Sequence, residues 1–127
     1  ATILVDAPCT ATGTLRRHPD IARLKQPADV PFMADLQAEL LDAAAQLLAP
    51  GGTLVYAVCS LEPEEGPERV AALLEARGEM SRAPLAPEEI PGISGAVTAE
   101  GDLRTLPHHW AESGGMDGFY ACRLRKA

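Results

Sequence analysis

The chain holds only three cysteines, an odd number and far apart, so they supply no disulfide framework. Such usage implies reduced thiols, as in a cytoplasmic protein. No apolar run approaches the roughly 18–20 residues that cross a bilayer, and no membrane partner is expected. A charged-then-apolar leader is missing as well. The sequence has no internal repeat, no low-complexity segment and no Cys-x-x-Cys redox pair. No glycine-rich turn precedes its first apolar run. A phosphatase loop is also excluded, because that loop needs its arginine one position nearer the thiol than Arg16 is to Cys9. Cys9, Cys59, His108 and His109 lack the spacing of paired zinc ligands, so no metal site is expected.

Positive charge is scarce too. The net charge is −7, which argues against a polyanionic partner for the molecule as a whole. Its distribution is uneven. Arg16, Arg17, Arg23, Lys25, Arg123, Arg125 and Lys126 are seven of the eleven basic residues, gathered in two clusters. Residues 62–102 carry ten acidic side chains against Arg69, Arg77 and Arg82. A locally basic face is therefore compatible with an acidic chain.

What is present follows an α/β rhythm. Ile3-Leu4-Val5 reads as a buried strand running into the polar, glycine-containing loop Asp6 to Gly13. Residues 14–29 hold two prolines without periodicity and read as a long loop with at most one helical turn. Asp29 can cap a helix that admits Pro31 in its first turn, and Pro50-Gly51-Gly52 stops it. Met33, Leu36, Leu40, Ala44 and Leu47, with Leu41 and Leu48 beside them, form its expected apolar face. Residues 53–59 are apolar on both faces, as in a parallel strand covered by helices. A second helix spans residues 63–78, its regular part delayed to Pro67, and a weak strand is expected over 79–85. Residues 86–118 read as loop and irregular chain, and Phe119 to Leu124 as a last strand that pairs antiparallel. This order predicts an α/β layered domain of one unit, half of a doubly wound sheet.

Chemistry concentrates at the ends of two strands. A free cysteine is most often a buried small hydrophobe, and Cys122, inside a strand, fits that description. Cys9 and Cys59 each stand just past a strand, where neighbouring strands would bring both thiols to one rim. Cys59 also precedes a helix start, which favours thiolate. With Asp6 beside them, they suit nucleophilic addition to an electron-poor ring, the carboxylate managing protons. An RNA-binding segment without catalysis, or another thiol enzyme, would fit the same residues less closely.

Three stretches carry a family resemblance. Asp6-Ala7-Pro8-Cys9-Thr10-Ala11-Thr12-Gly13, with Arg16-Arg17-His18-Pro19-Asp20 after it, resembles the catalytic loop of the Sun/RsmB-type RNA (cytosine-5) methyltransferases. Tyr56-Ala57-Val58-Cys59-Ser60 with Pro63-Glu64-Glu65 resembles their second cysteine motif, and Gly114 to Ala121 their closing segment. The Arg-Arg-His-Pro-Asp extension is similar to the bacterial 16S rRNA branch. Val58 stands where the family often has threonine, and Gly66-Pro67 where it commonly continues with asparagine and glutamate.

The resemblance implies the C-terminal half of a Rossmann-like, class I S-adenosylmethionine-dependent methyltransferase domain, mostly parallel with an antiparallel last strand. Residues 1–127 would be a partial catalytic domain, without the family's upstream strands and glycine-rich cofactor motif. By the same resemblance Cys59 is the nucleophile toward carbon-6 of a cytosine, and Cys9 assists product release. Asp6 contacts the base, Asp6 and Pro8 adjoin S-adenosylmethionine, and Arg16, Arg17, His18 and Lys25 hold phosphates of 16S rRNA. The DNA cytosine methyltransferases use the Pro-Cys thiol as nucleophile instead, so the two roles are distinguishable only by experiment.

Overall fold

A computed structural model describes all of residues 1–127. Five strands form one sheet. β1 (Thr2–Asp6) pairs in parallel with β2 (Thr53–Val58), and β2 pairs antiparallel with the last strand, β5 (Phe119–Lys126). Along the outer edge of β5 lie two three-residue strands end to end, β3 (Met80–Arg82) and β4 (Leu103–Thr105), both antiparallel to it. Four strands thus share one direction and β5 opposes them, which is the mixed α/β sheet expected. β4 falls within a stretch read as irregular, because three residues carry too little periodicity to show a strand. Pairing to Phe119–Ala121 creates it.

Between the strands run α1 (Ile21–Leu24), α2 (Asp29–Leu47) and α3 (Pro67–Ala76). α1 is the single turn expected in the long loop. α2 and α3 pack on one face of the sheet. That face presents Leu54, Tyr56 and Val58 of β2, register-matched to Leu124, Cys122 and Tyr120 of β5, all buried. Leu41, Ala44, Ala45 and Leu48 close over them from α2, and Val70 and Leu73 from α3. The opposite face has no helix, and Leu4 of β1 is 65% exposed there. The two-sided cover expected for residues 53–59 is therefore one-sided. No helix is long and apolar enough to cross a membrane.

Two details of α2 differ from the sequence reading. Asp29 is the first helical residue rather than its cap, and its carboxylate accepts from the Gln26 backbone N–H at 2.7 Å. The buried side is Ala34, Gln37, Leu41, Ala44 and Ala45, followed by Leu48, while Leu47 is 80% exposed. The apolar residues encircle this helix, so periodicity alone left its rotation open. The polar Gln37 decides it. At the other end the Lys126 ammonium donates to the carbonyls of Ala45 and Leu48, at 2.8 and 2.9 Å. It thereby satisfies acceptors that a helix terminus leaves free and complements the negative end of the helix dipole.

The rotation of α2 is directly testable. Leu41→Ala empties a packed position and should cost about 2–5 kcal/mol, whereas Leu47→Ala should change stability by no more than about 0.5 kcal/mol. Urea denaturation of the two variants measures the difference. Equal losses would place the core face where the sequence reading had it.

Candidate functional site

Because β1 and β2 are parallel neighbours, both release their chains at the same edge of the sheet. This is the edge at which α/β sheets collect ligands. Cys9 follows β1 within a short loop, and Cys59 is the first residue past β2. Their sulfurs are 3.5 Å apart, both half-buried. The third cysteine, Cys122, lies in β5, fully buried in the core.

A buried carboxylate holds this pair together. Glu65, completely inaccessible, ends a 3₁₀ turn that begins at Pro63. Its Oε1 accepts from the Thr10 backbone N–H at 2.9 Å and from Gln37 Nε2 at 3.1 Å. Its Oε2 accepts from the Thr10 hydroxyl at 2.6 Å and from the Ser60 hydroxyl. Thr10 follows Cys9 and Ser60 follows Cys59, so a single side chain fixes the residue after each thiol. Gln37 also donates to the Pro8 carbonyl at 2.8 Å, tying the first loop to α2. The Tyr56 hydroxyl donates to the Glu65 carbonyl at 2.6 Å, which anchors the turn to the sheet. An isolated carboxylate at this depth would be strongly disfavoured, and several convergent donors offset that cost.

A second set of contacts adds the segment before β5. The Gly13 N–H donates to the Cys59 carbonyl at 3.0 Å, and the Gly118 N–H to the Gly13 carbonyl at 2.7 Å. Both positions need glycine for space: a Cβ on Gly13 would lie 2.0 Å from the Gly118 oxygen. Nearby, the Arg17 guanidinium meets the Asp117 carboxylate at 2.6 Å, and Arg16 donates to the Gly114 carbonyl. Three separate loops thus form one rim.

Burial sets the protonation of Cys9. Burial pushes the Cys9 thiol up to about 12, a backbone hydrogen bond from Ala11 works against it, and the adjoining Cys59 adds to the rise. Cys9 therefore keeps its proton through the neutral range. Such a group suits proton transfer better than initial attack.

The other expected site residues are placed as follows. Asp6 ends β1 exposed and enters no ion pair, and Pro8 is exposed beside it. Arg16, Arg17 and His18 are exposed on the loop past the thiol, and Lys25 follows α1, partly covered. The histidines once weighed as zinc ligands are engaged with each other: the His108 and His109 rings lie 4.6 Å apart, and His109 Nδ1 accepts from the Leu106 N–H. Neither joins the thiols in a metal-ligating cluster.

Sequence reasoning missed Glu65, Gln37 and Thr10 as parts of the site, and Arg104 too. Arg104 of β4 donates to the Ser60 carbonyl at 2.7 Å, so it touches the residue after Cys59. Glu65 stands in the second cysteine motif, Pro63-Glu64-Glu65, but the sequence assigns it no role of its own. The available signal was Gln37, a polar residue on the inner stripe of an apolar helix, which demands a buried partner.

Glu65→Ala strands donors on three segments and should lower stability by about 3–5 kcal/mol. Glu65→Gln should lose less than half of that, because the Thr10 and Ser60 hydroxyls can accept from an amide. Denaturant titration of both variants decides it, and equal losses would contradict the network.

The chain is similar to known proteins over nearly its whole length. A family model described as "16S rRNA methyltransferase RsmB/F" matches residues 1–125. The ribosomal RNA small subunit methyltransferase B of Enterobacter sp. (strain 638) is 44% identical over 98% of this chain and 26% of its own length. That of Vibrio cholerae is 45% identical over 98% of this chain and 25% of its own. The chain thus spans about a quarter of the curated relatives it matches. Among solved structures, PH0851 superposes with a TM-score of 0.84 at 34% identity, over 98% of this chain and 26% of that one. NSun6 from Pyrococcus horikoshii with SFG gives a TM-score of 0.73 at 28% identity, over 97% of this chain and 29% of that one. With a family model matched over nearly all its length and relatives this close, the chain belongs to the RsmB/F family of 16S rRNA methyltransferases.

Proposed function

We propose that this chain forms the thiol-bearing half of a catalytic domain that methylates carbon-5 of a cytosine in 16S rRNA. The observation that carries the reading is the pair of sulfurs 3.5 Å apart at the ends of two parallel strands. An exposed, unpaired carboxylate, Asp6, stands at the same edge.

In the proposed reaction Cys59 Sγ adds to carbon-6 of the target cytosine, forming a carbon–sulfur bond. The electron pair of the 5,6 double bond moves toward carbon-5 and the ring. Asp6 contacts the pyrimidine near its ring nitrogen and shares the proton that this nitrogen takes up as negative charge develops on the ring. Carbon-5 then takes a methyl group, which S-adenosylmethionine supplies when bound. Solvent water takes the carbon-5 proton, the C–H electron pair restores the 5,6 double bond, and the carbon–sulfur bond breaks with its pair on the Cys59 sulfur. Cys9, protonated and in contact with Cys59, assists that release. The cysteine roles rest on the family resemblance, and the depth and raised thiol of Cys9 support them. The target base must leave its stack to reach two half-buried sulfurs.

The residues at the rim fit a cationic, amine-bearing methyl donor. Asp6 is an exposed carboxylate with no competing cation, and Pro8 offers a rigid apolar surface next to it. Arg16, Arg17, His18 and Lys25 would meet RNA phosphates. Arg16 and Arg17 reach them from a loop already tied to Gly114 and Asp117.

The test uses labelled S-adenosylmethionine and 16S rRNA with a version of the protein extended to the length of its relatives. Label should appear at carbon-5 of cytosine. Cys59→Ala should abolish any covalent protein–RNA species, and Cys9→Ala should make it accumulate. Absence of transfer to cytosine would refute the reading, and the reverse cysteine pattern would exchange the two roles.

A further inference from the structure

Arg104 is a cation without a counter-ion at the edge of the site. It extends from β4, directly beside Tyr120 of β5, which in turn pairs with Val58, the residue before Cys59. The three residues lie in one row across the sheet at the thiol-bearing edge. One guanidinium nitrogen donates to the Ser60 carbonyl at 2.7 Å, and the group lies over the Tyr120 ring, 5.2 Å from its centre. That carbonyl is its one hydrogen-bond acceptor within the protein.

Arg82, on the neighbouring short strand, makes a useful contrast. Burial disfavours its charge too, yet the Asp102 carboxylate takes two of its N–H groups, at 3.2 and 3.3 Å, and raises its pKa. Arg104 forms no ion pair, and burial lowers its pKa. A half-buried guanidinium without an anion carries part of its desolvation cost uncompensated in a resting structure. The cost is recovered when a ligand brings the anion, and the planar fork of donors suits a phosphodiester.

We infer that Arg104 is an RNA-phosphate contact, holding the backbone beside the nucleotide whose base reaches Cys59. This inference rests on the proposed RNA substrate and adds to the basic loop a contact from strand β4. One contact with Ser60 fixes the arginine to the residue after Cys59. Its other N–H groups are then available to the strand that carries the target base. The position thereby couples backbone binding to the register of the reacting nucleotide.

The test measures binding of a labelled, cytosine-containing single-stranded RNA to the extended protein across a salt series. Each phosphate contact contributes about 0.7 to the slope of log K against log salt for single strands. Arg104→Met keeps an apolar stem over Tyr120 and removes the charge. It should weaken binding and reduce the slope by about 0.7. Arg104→Lys should retain the slope, since the charge remains. A purely structural brace would leave the Arg104→Met slope at the wild-type value, and that result would overturn the inference. If the wild-type protein transfers methyl groups and the slope is unmoved, the phosphate contact alone fails. If the slope falls as expected but no methyl group reaches cytosine, the contact stands and the methyltransferase reading fails.

Discussion

The buried Glu65 carboxylate is the constraint on which the site depends. Strand pairing brings β1 and β2 side by side, but pairing ends at Asp6 and Val58, short of both thiols. From there onward the relative position of Cys9 and Cys59 is set by hydrogen bonds. Glu65 accepts from Thr10 and Ser60, the residues immediately after the two cysteines, and from Gln37 of α2. The helix and both loops therefore share one carboxylate as acceptor. Such a network is unforgiving, because every member lost leaves another buried group unpaired. That rigidity keeps the two sulfurs within contact distance.

The glycines serve the same end by permitting close approach. Gly13 and Gly118 bring the thiol loop and the segment before β5 to backbone contact, and Arg17 locks the outer side onto Asp117. The result is a rim in which positive groups come from two directions, the loop after Cys9 and strand β4. Such a rim would let a chain of net charge −7 address a polyanion, as the proposed function requires. Its acidic excess lies chiefly between residues 62 and 102, and much of it is consumed internally. Asp102 pairs with Arg82 and accepts from the Tyr120 hydroxyl, while Glu79 and Glu89 meet Arg77 and Arg123. Local field, rather than total charge, decides what approaches the thiols.

Much of this was legible in the sequence, for definite reasons. Apolar runs that stop at Asp6 and Cys59 marked the strand ends, and Pro50-Gly51-Gly52 marked the end of α2. Pro67 correctly signalled the delayed start of α3. What stayed hidden was long-range. β4 exists only through its pairing with β5, and the inner side of α2 could not be chosen while leucines lay all around it. Asp29 seemed a cap because its type suits one, yet a tighter turn with Gln26 claimed its carboxylate. Glu65 and Arg104 could not be assigned because their partners, Thr10 and Ser60, are neutral residues distant or unremarkable in sequence. Chemistry that rests on cysteine and aspartate announces itself by residue type. The scaffolding that aims it does so only through contacts.

The central claim is that two adjacent thiols divide the work, Cys59 bonding the base and Cys9 releasing it. RNA carrying 5-fluorocytosine tests this most directly, since fluorine in place of the carbon-5 proton prevents release after methyl transfer. The extended protein should be captured on such RNA in the presence of S-adenosylmethionine. Mass spectrometry of the digested adduct should find the nucleotide on the peptide containing Cys59. A nucleotide on Cys9, or no adduct in a protein that still methylates unmodified RNA, would contradict the account.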